Sequence, residues 1–403
     1  MLLALLLAFG LGIIFGIICG LTPGIHTNLV AVFIIALLVF LLNYFSPISL
    51  IIFIVSMSIT QVFIDFIPST FLGAPDEDTV LSILPSHRML LEGNGHSAII
   101  FSIYGCIIGV FIMVALTFPL VIFLKNFYNF FQFFMPLILI LVSLFMILNV
   151  ESNRMLSFLI FIIAGFLGIA SLNQNIPNTL LPLLTGLFGS SSLIVSISKK
   201  EKIPEQKIQP IKEIKPTKKE LFRTCIASLI ASPLCSFLPG LGSSQAAIIG
   251  SQSIKKITEK EFLILVGSIN IIVMGLSFVT VYAISKARTG SAVAISQIIQ
   301  NLSLGNLAVI ILTILLSSFI SIFLAIFFSK IFAKNINKIN YKGLSIGILI
   351  FLTFIVFFFT GFIGLLIYFT STFLGIYTIN KGLQRNLLMG CLLVPTILMY
   401  IFP

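Results

Sequence analysis

The chain has 403 residues, of which 59% are hydrophobic and 9% charged, with a mean hydropathy of +1.20. Runs of about 18 or more apolar residues recur throughout, each long enough to cross roughly 30 Å of hydrocarbon, which excludes a water-soluble fold and a β-barrel of short alternating strands. The net charge of +11 comes from basic residues in short loops between apolar spans, a pattern of membrane orientation rather than of nucleic-acid binding. The five cysteines stand singly in apolar runs with no CxxC or Cys/His cluster, so neither a disulfide framework nor a metal site is expected.

The first segment, MLLALLLAFGLGIIFGIICG, lacks the basic start and small-residue cleavage site of a signal peptide and reads as a retained membrane segment. It runs into CGLTPGIHTN at 19–28, a polar break in an apolar stretch. Pro23 removes a backbone donor and interrupts the helix. Gly24 permits the close backbone approach that a side chain would block. Where the helix restarts, the amides of Thr27 and Asn28 would turn a positive dipole end toward an anion. A kinked helix or tight turn without a ligand is the alternative. His26 either couples proton movement or hydrogen-bonds to a helix end.

A span near 48–68 leads to a polar segment at 69–97, preceded by Asp65. It carries Asp76, Glu77, Asp78, His87, Arg88, Glu92 and His96, between stretches apolar enough to dip into the bilayer. Asp76, Glu77 and Asp78 either ligate a coupling cation, as adjacent carboxylates can, or form a solvated turn. Further apolar segments follow near 98–124, 127–149, 155–171 and 176–197. Residues 198–220, rich in Lys, Glu and Pro, read as a solvated cytoplasmic linker. The domain division is therefore a repeat at 1–197, the linker, and a repeat at 221–403.

The second half repeats the plan. CSFLPGLGSS at 235–244 answers CGLTPGIHTN, with Cys235, Pro239, Gly240 and Ser243 matching Cys19, Pro23, Gly24 and Thr27. A span near 262–284, a polar segment at 285–306, and segments near 307–329, 343–360, 363–379 and 386–402 complete it. If each broken pair enters and leaves on one side, each half crosses about five times, and an odd count inverts the second half. With the linker inside, the loops carrying Lys255, Lys256, Lys260, Lys330, Lys334, Lys338, Lys342, Lys381 and Arg385 also fall inside, and Lys125 is the outside cation. Lys286 and Arg288 either attract an anion or snorkel to an interface.

The order PSTFLGAPDE, then LPSHRMLLEGNGHSA, resembles the TctA family, the large membrane subunit of tripartite tricarboxylate transporters. Ser69 and Thr70 stand in that family's Thr/Ser stretch; Pro75, Asp76 and Glu77 stand at its Pro-Gly-Glu, with Asp in place of Gly. Met89, Gly93 and Gly95 end the motif, and the opening break is similar to the family's G-x-x-P-G. In the second half Asn270 remains of a P-E-A-x-N-N-A-like stretch. The resemblance implies an organic-anion transporter.

The expected fold is an all-α polytopic membrane protein of two inverted-topology repeats, each a Pro-Gly-broken hairpin plus about five transmembrane helices. The expected function is secondary transport of an organic anion, a carboxylate, coupled to H⁺ or Na⁺. The substrate residues are Gly24, Thr27, Asn28, Ser69, Thr70, Gly240, Gly242, Ser243, Ser244 and Gln245, with Asn270 behind them. Pro23 and Pro239 break the helices, and His26, Asp76 and Glu77 are the coupling candidates. A translocase of a lipid-linked polyprenyl phosphate is the alternative cargo. An enzyme is not expected, because HExxH, GxSxG and paired intramembrane Asp motifs are missing from the sequence. No cofactor is expected beyond the coupling ion. Membrane lipids, a small membrane subunit or a second copy are the partners the sequence allows, and nucleic acid is not one.

Overall fold

The computed structural model describes residues 2–22, 27–36, 38–73, 83–148, 154–174, 176, 179–198, 204–237, 243–254, 257–287, 289–336, 341–383 and 385–402. Among these there are helices and no strands, as a bilayer demands, since only helices or closed barrels satisfy every backbone group in hydrocarbon. In the first half the helices are α1 (Leu2–Leu21), α2 (Thr27–Ala36), α3 (Leu38–Leu42), α4 (Pro47–Ile64), α5 (Phe66–Phe71), α6 (Ile83–Leu91), α7 (Gly95–Leu148), α8 (Arg154–Leu172), α9 (Leu180–Leu184) and α10 (Ser191–Ser198). A π-helical turn, Thr185–Ser190, joins α9 to α10. The second half comprises α11 (Lys218–Phe237), α12 (Ser243–Gln252), α13 (Glu259–Ile284), α14 (Gly290–Ile298), α15 (Leu304–Asn335), α16 (Tyr341–Asn380) and α17 (Gly390–Ile401).

Among the described residues, seven helices are long and apolar enough to cross a membrane. Two of them, α4 continued by α5, and α13, are 94% buried over their most apolar stretch, whereas α1 is 22% and the second part of α16 with its first 28% buried. The outer helices turn Leu and Phe outward, among them Leu2, Phe118, Phe319, Phe358 and Phe373, to face lipid. The protein is an integral membrane protein with a two-helix centre.

Local signals set the ends of the central helices. Ser46 accepts from Ser49 N at 3.3 Å, with Pro47 supplying the fixed φ of a first helical position. Thr258 and Glu261 form a reciprocal capping box at the start of α13. Each central unit ends in a left-handed residue, Gly73 (φ 61°) after α5 and Ser285 (φ 52°) after α13. The packing pairs matching elements: α1 lies on α4 as α11 lies on α13, and α7 lies on α13 as α15 lies on α4.

Small residues bring these helices together, since lipid tails give Leu no reason to leave them. On the α7–α13 seam a Cβ on Gly105 would stand 2.0 Å from Ile264 O, and one on Gly267 2.2 Å from Ser102 O. Hydroxyls seal the crossings between halves: Ser58 Oγ donates to Ser291 Oγ (2.8 Å) and Ser321 Oγ to Thr60 Oγ1 (3.0 Å).

Two features differ from the sequence reading. The segments near 98–124 and 127–149 form one run, α7, containing Pro119 and Pro136. Lys125 and Asn126 do not interrupt it, because Lys125 reaches the Tyr282 ring (5.3 Å) and Asn126 Nδ2 donates back to Ile122 O (3.0 Å). By contrast, the segments near 343–360 and 363–379 meet where the sequence reading divides them, at the kink of Gly361 (φ 65°, ψ −159°) within α16. Finally, residues 204–217 are docked rather than free. Gly95 N donates to Gln206 Oε1 (2.9 Å), Gln206 Nε2 donates to Leu90 O (3.0 Å), Lys207 N donates to Gly93 O (2.8 Å), and Ile214 is buried.

Gly267→Leu is expected to cost about 3 kcal/mol or more by forcing α7 off α13. It should lower both Tm and detergent-extracted yield, while Gly347→Leu, whose Cβ meets nothing within 4 Å, leaves them unchanged.

Candidate functional site

The polar groups of the protein interior gather where the two broken hairpins meet the central helices. In the first half α1 runs beside α4 in the same direction: a Cβ on Gly16 would meet Thr60 Cβ at 2.6 Å and one on Gly20 would meet Ile64 Cβ at 2.7 Å. The chain restarts as α2 at Thr27, which is fully buried and donates its amide to Gln61 Oε1 at 3.2 Å. Gln61 thus supplies an acceptor to one of the amides that a helix start leaves without an intrahelical partner.

In the second half a Cβ on Gly250, near the end of α12, would lie 3.2 Å from Leu265 Cδ1 of α13. Ser243 is buried with no hydrogen-bond partner for its Oγ among the described residues. Asn270 is 2% exposed, and both Oδ1 and Nδ2 lack such a partner, as does the Oγ of buried Ser268. A buried amide with both ends unmatched costs about 1–3 kcal/mol.

Ser69 and Thr70 lie on α5 and are buried. Ser69 Oγ donates to Asp65 O at 2.8 Å, a bond back into its own helix. Pro23, Gly24, His26, Asp76, Glu77, Pro239, Gly240 and Gly242 lie outside the described residues. Asn28, Ser244 and Gln245 belong to the first turns of α2 and α12, with their side chains outside the description.

Two groups of the interior are plain only in the structure. Gln61, one polar residue in an apolar span, meets the restarting helix. Asp65 is 5% exposed at the joint between α4 and α5, although it reads in sequence as the edge of a polar loop. Its signal was available: it is an acid inside a stretch of membrane-spanning length.

Several charges elsewhere among the described residues have partners. Arg88 pairs with Glu259 (2.6 Å) and Arg223 with Glu261 (2.9 Å). Lys286 Nζ donates to Tyr128 OH (3.1 Å) and lies 4.7 Å from that ring; Arg288 lies outside the described residues. Arg385 is buried, donates to Phe188 O in the π-helical turn and stacks on the Phe188 ring. Burial pulls its guanidinium down to about 10, so it stays protonated at neutral pH.

The sequence matches the tripartite tricarboxylate transporter TctA family over residues 6–390. The chain belongs to the TctA family. It is also 34% identical to an uncharacterized protein of Methanocaldococcus jannaschii over 407 aligned positions, covering 97% of this chain and 98% of that one. No solved structure matches. This TctA-family chain is therefore a membrane component of a transporter rather than an enzyme, from a family that works with partner subunits on small anionic substrates. The family match gives the lipid-linked phosphate no support.

Gln61→Leu, which strands the Thr27 amide, is expected to cost about 1–3 kcal/mol of stability. Asn270→Leu, which removes two unmatched polar atoms, should leave Tm level or higher. Thermal unfolding of the purified variants checks both.

Proposed function

We propose that this chain carries a carboxylate anion across the membrane at a site between the two broken hairpins, near the middle of the bilayer. The observation that carries the reading is Asn270: a buried amide at the centre of a buried helix, whose donor and acceptor, like the hydroxyl of buried Ser243 on α12, have no partner among the described residues. Amides and hydroxyls suit such a cargo. They bind an anion by donation without a fixed positive charge that would hold it too tightly to release.

In this reading residues 1–197 and 221–403 are inverted repeats joined by the segment at 198–220. The matching order of break, buried helix, left-handed terminus and short helix supports it. The candidates from the sequence are Gly24, Thr27 and Asn28 in the first half and Gly240, Gly242, Ser243, Ser244 and Gln245 in the second, with Ser69 and Thr70; the Thr27 amide would exchange Gln61 for the anion. Coupling is to H⁺ or Na⁺, with His26, Asp76 and Glu77 as candidates from the sequence. Access alternates as one hairpin or the other loosens from its central helix.

The test is the thermal stability of the purified protein with citrate, other di- and tricarboxylates, inorganic phosphate and a short polyprenyl phosphate. A ligand of the folded state raises Tm by mass action. A carboxylate is expected to do so by about 3 °C or more at saturation, and Ser243→Leu, Thr27→Leu and Asn270→Leu should each abolish the shift. A shift with polyprenyl phosphate alone, or with no compound, would sink the carboxylate reading.

A further inference from the structure

We propose that Lys125 and Lys286, with Tyr128, Tyr282 and Tyr400, form an outward docking point that holds a di- or tricarboxylate before it reaches Asn270; this rests on the transporter reading above. The groups stand at one end of the α7–α13 seam. The two helices run the same way, since Gly105 meets Ile264, Gly109 meets Ser268 and Gly275 meets Met113. Their membrane-length stretches end together, at Tyr128 and at Ile284. Residues 204–217 dock at the start of α7. With that linker in the cytoplasm, as the Lys-rich loops place it, the far end of the seam faces outward.

The lysines are arranged crosswise. Lys286, from the second half, donates to Tyr128 OH at 3.1 Å and lies 4.7 Å from that ring. Lys125, from the first half, lies 5.3 Å from the Tyr282 ring. Both lysines are exposed, and among the described residues neither pairs with an acid. Their partners are a neutral hydroxyl and two aromatic faces, which attract a cation without cancelling its charge. At the other end of α13 the opposite holds, where Glu259 and Glu261 pair with Arg88 and Arg223. Tyr400 on α17 adds a buried hydroxyl with no partner among the described residues, within electrostatic reach of Tyr128. Two ammonium groups and a phenol donor match a molecule that carries several carboxylates. Exposed ammonium groups draw an anion over about a Debye length and release it again, which suits an entry point.

Lys286 also leads inward. Its carbonyl accepts from Thr280 Oγ1 (3.1 Å), and Ser277 Oγ lies 3.1 Å from Thr289 Oγ1 at the start of α14. Ser277 and Asn270 are seven residues apart, so they share a face of α13, about 10 Å apart along its axis. Hydroxyls thus continue from the docking point toward the unmatched amide. A lipid phosphate offers similar oxygens, and the experiment separates the two sources.

The experiment compares full-length wild type with the double variant Lys125→Gln, Lys286→Gln in phosphatidylcholine nanodiscs. The chain has eight tyrosines and no tryptophan, so tyrosine emission reports on this cluster. Citrate and succinate are titrated at low and high choline chloride, with acetate as the singly charged control. Wild type is expected to change its emission with either anion. Its apparent affinity should fall about tenfold between roughly 0.02 and 0.2 M salt. The double variant should lose the emission change, bind about fivefold more weakly by thermal shift at low salt, and respond little to salt. Both lysines are exposed, so the variant should fold, and Lys125→Arg with Lys286→Arg should behave as wild type. Asn270→Leu should keep the emission change and lose the thermal shift. A glutamine variant with wild-type emission change, affinity and salt dependence overturns the docking point and leaves the midplane reading standing. An emission change that needs the lysines, with a thermal shift indifferent to Asn270→Leu, fails the midplane reading and keeps the docking point. A change on replacing phosphatidylcholine by phosphatidylglycerol, with none from citrate or succinate, assigns the groups to lipid and overturns the proposal. Acetate as effective as citrate, or no response of wild type to any of the anions, overturns it as well.

Discussion

The structure depends on one constraint: a polar atom inside a bilayer must find its partner within the protein. The α4–α5 unit and α13 meet this by withdrawing from lipid altogether, 94% buried over their apolar stretches. With that retreat, serines, threonines, an asparagine and an aspartate become tolerable in helices that would otherwise have to be wholly apolar. The remaining helices form a coat, with Phe and Leu outward and glycine inward where backbones approach.

Within that shielded centre some polar groups are matched and others are not. Gln61 meets the Thr27 amide, and Ser58–Ser291 and Thr60–Ser321 join the two halves. Ser243, Ser268 and Asn270 have no partner among the described residues, nor do Ser97, Ser318 and Ser371 elsewhere in the chain.

Much of this was legible in the chain. The Pro-Gly breaks at 23–24 and 239–240 placed the ends of α1 and α11 and the starts of α2 and α12, because proline and glycine act locally. The capping serines and threonines did the same for α4, α13, α14 and α15. Hydropathy alone misplaced one boundary. Lys125 and Asn126 look like a loop, yet a long side chain that reaches Tyr282 and an amide that bonds its own helix let α7 continue. The division read at 360–363 coincides with the kink of α16 at Gly361. The docking of residues 204–217 and the burial of Asp65 depend on neighbours more than a hundred residues away, or on a fold that closes around them, and composition carries neither.

The hydroxyl contacts between halves have a further meaning for how the protein is made. Ser58 waits 233 residues for Ser291, His96 waits 233 for Ser329, and Thr60 waits 261 for Ser321. At about 5–20 residues per second of synthesis, the nascent first half stays in the membrane for roughly 10–50 s with its central helix unsheltered. During that interval the partly made chain is a client for whatever insertion machinery shields polar helices from lipid. Biogenesis, as much as transport, then sets how many polar residues α4 can carry.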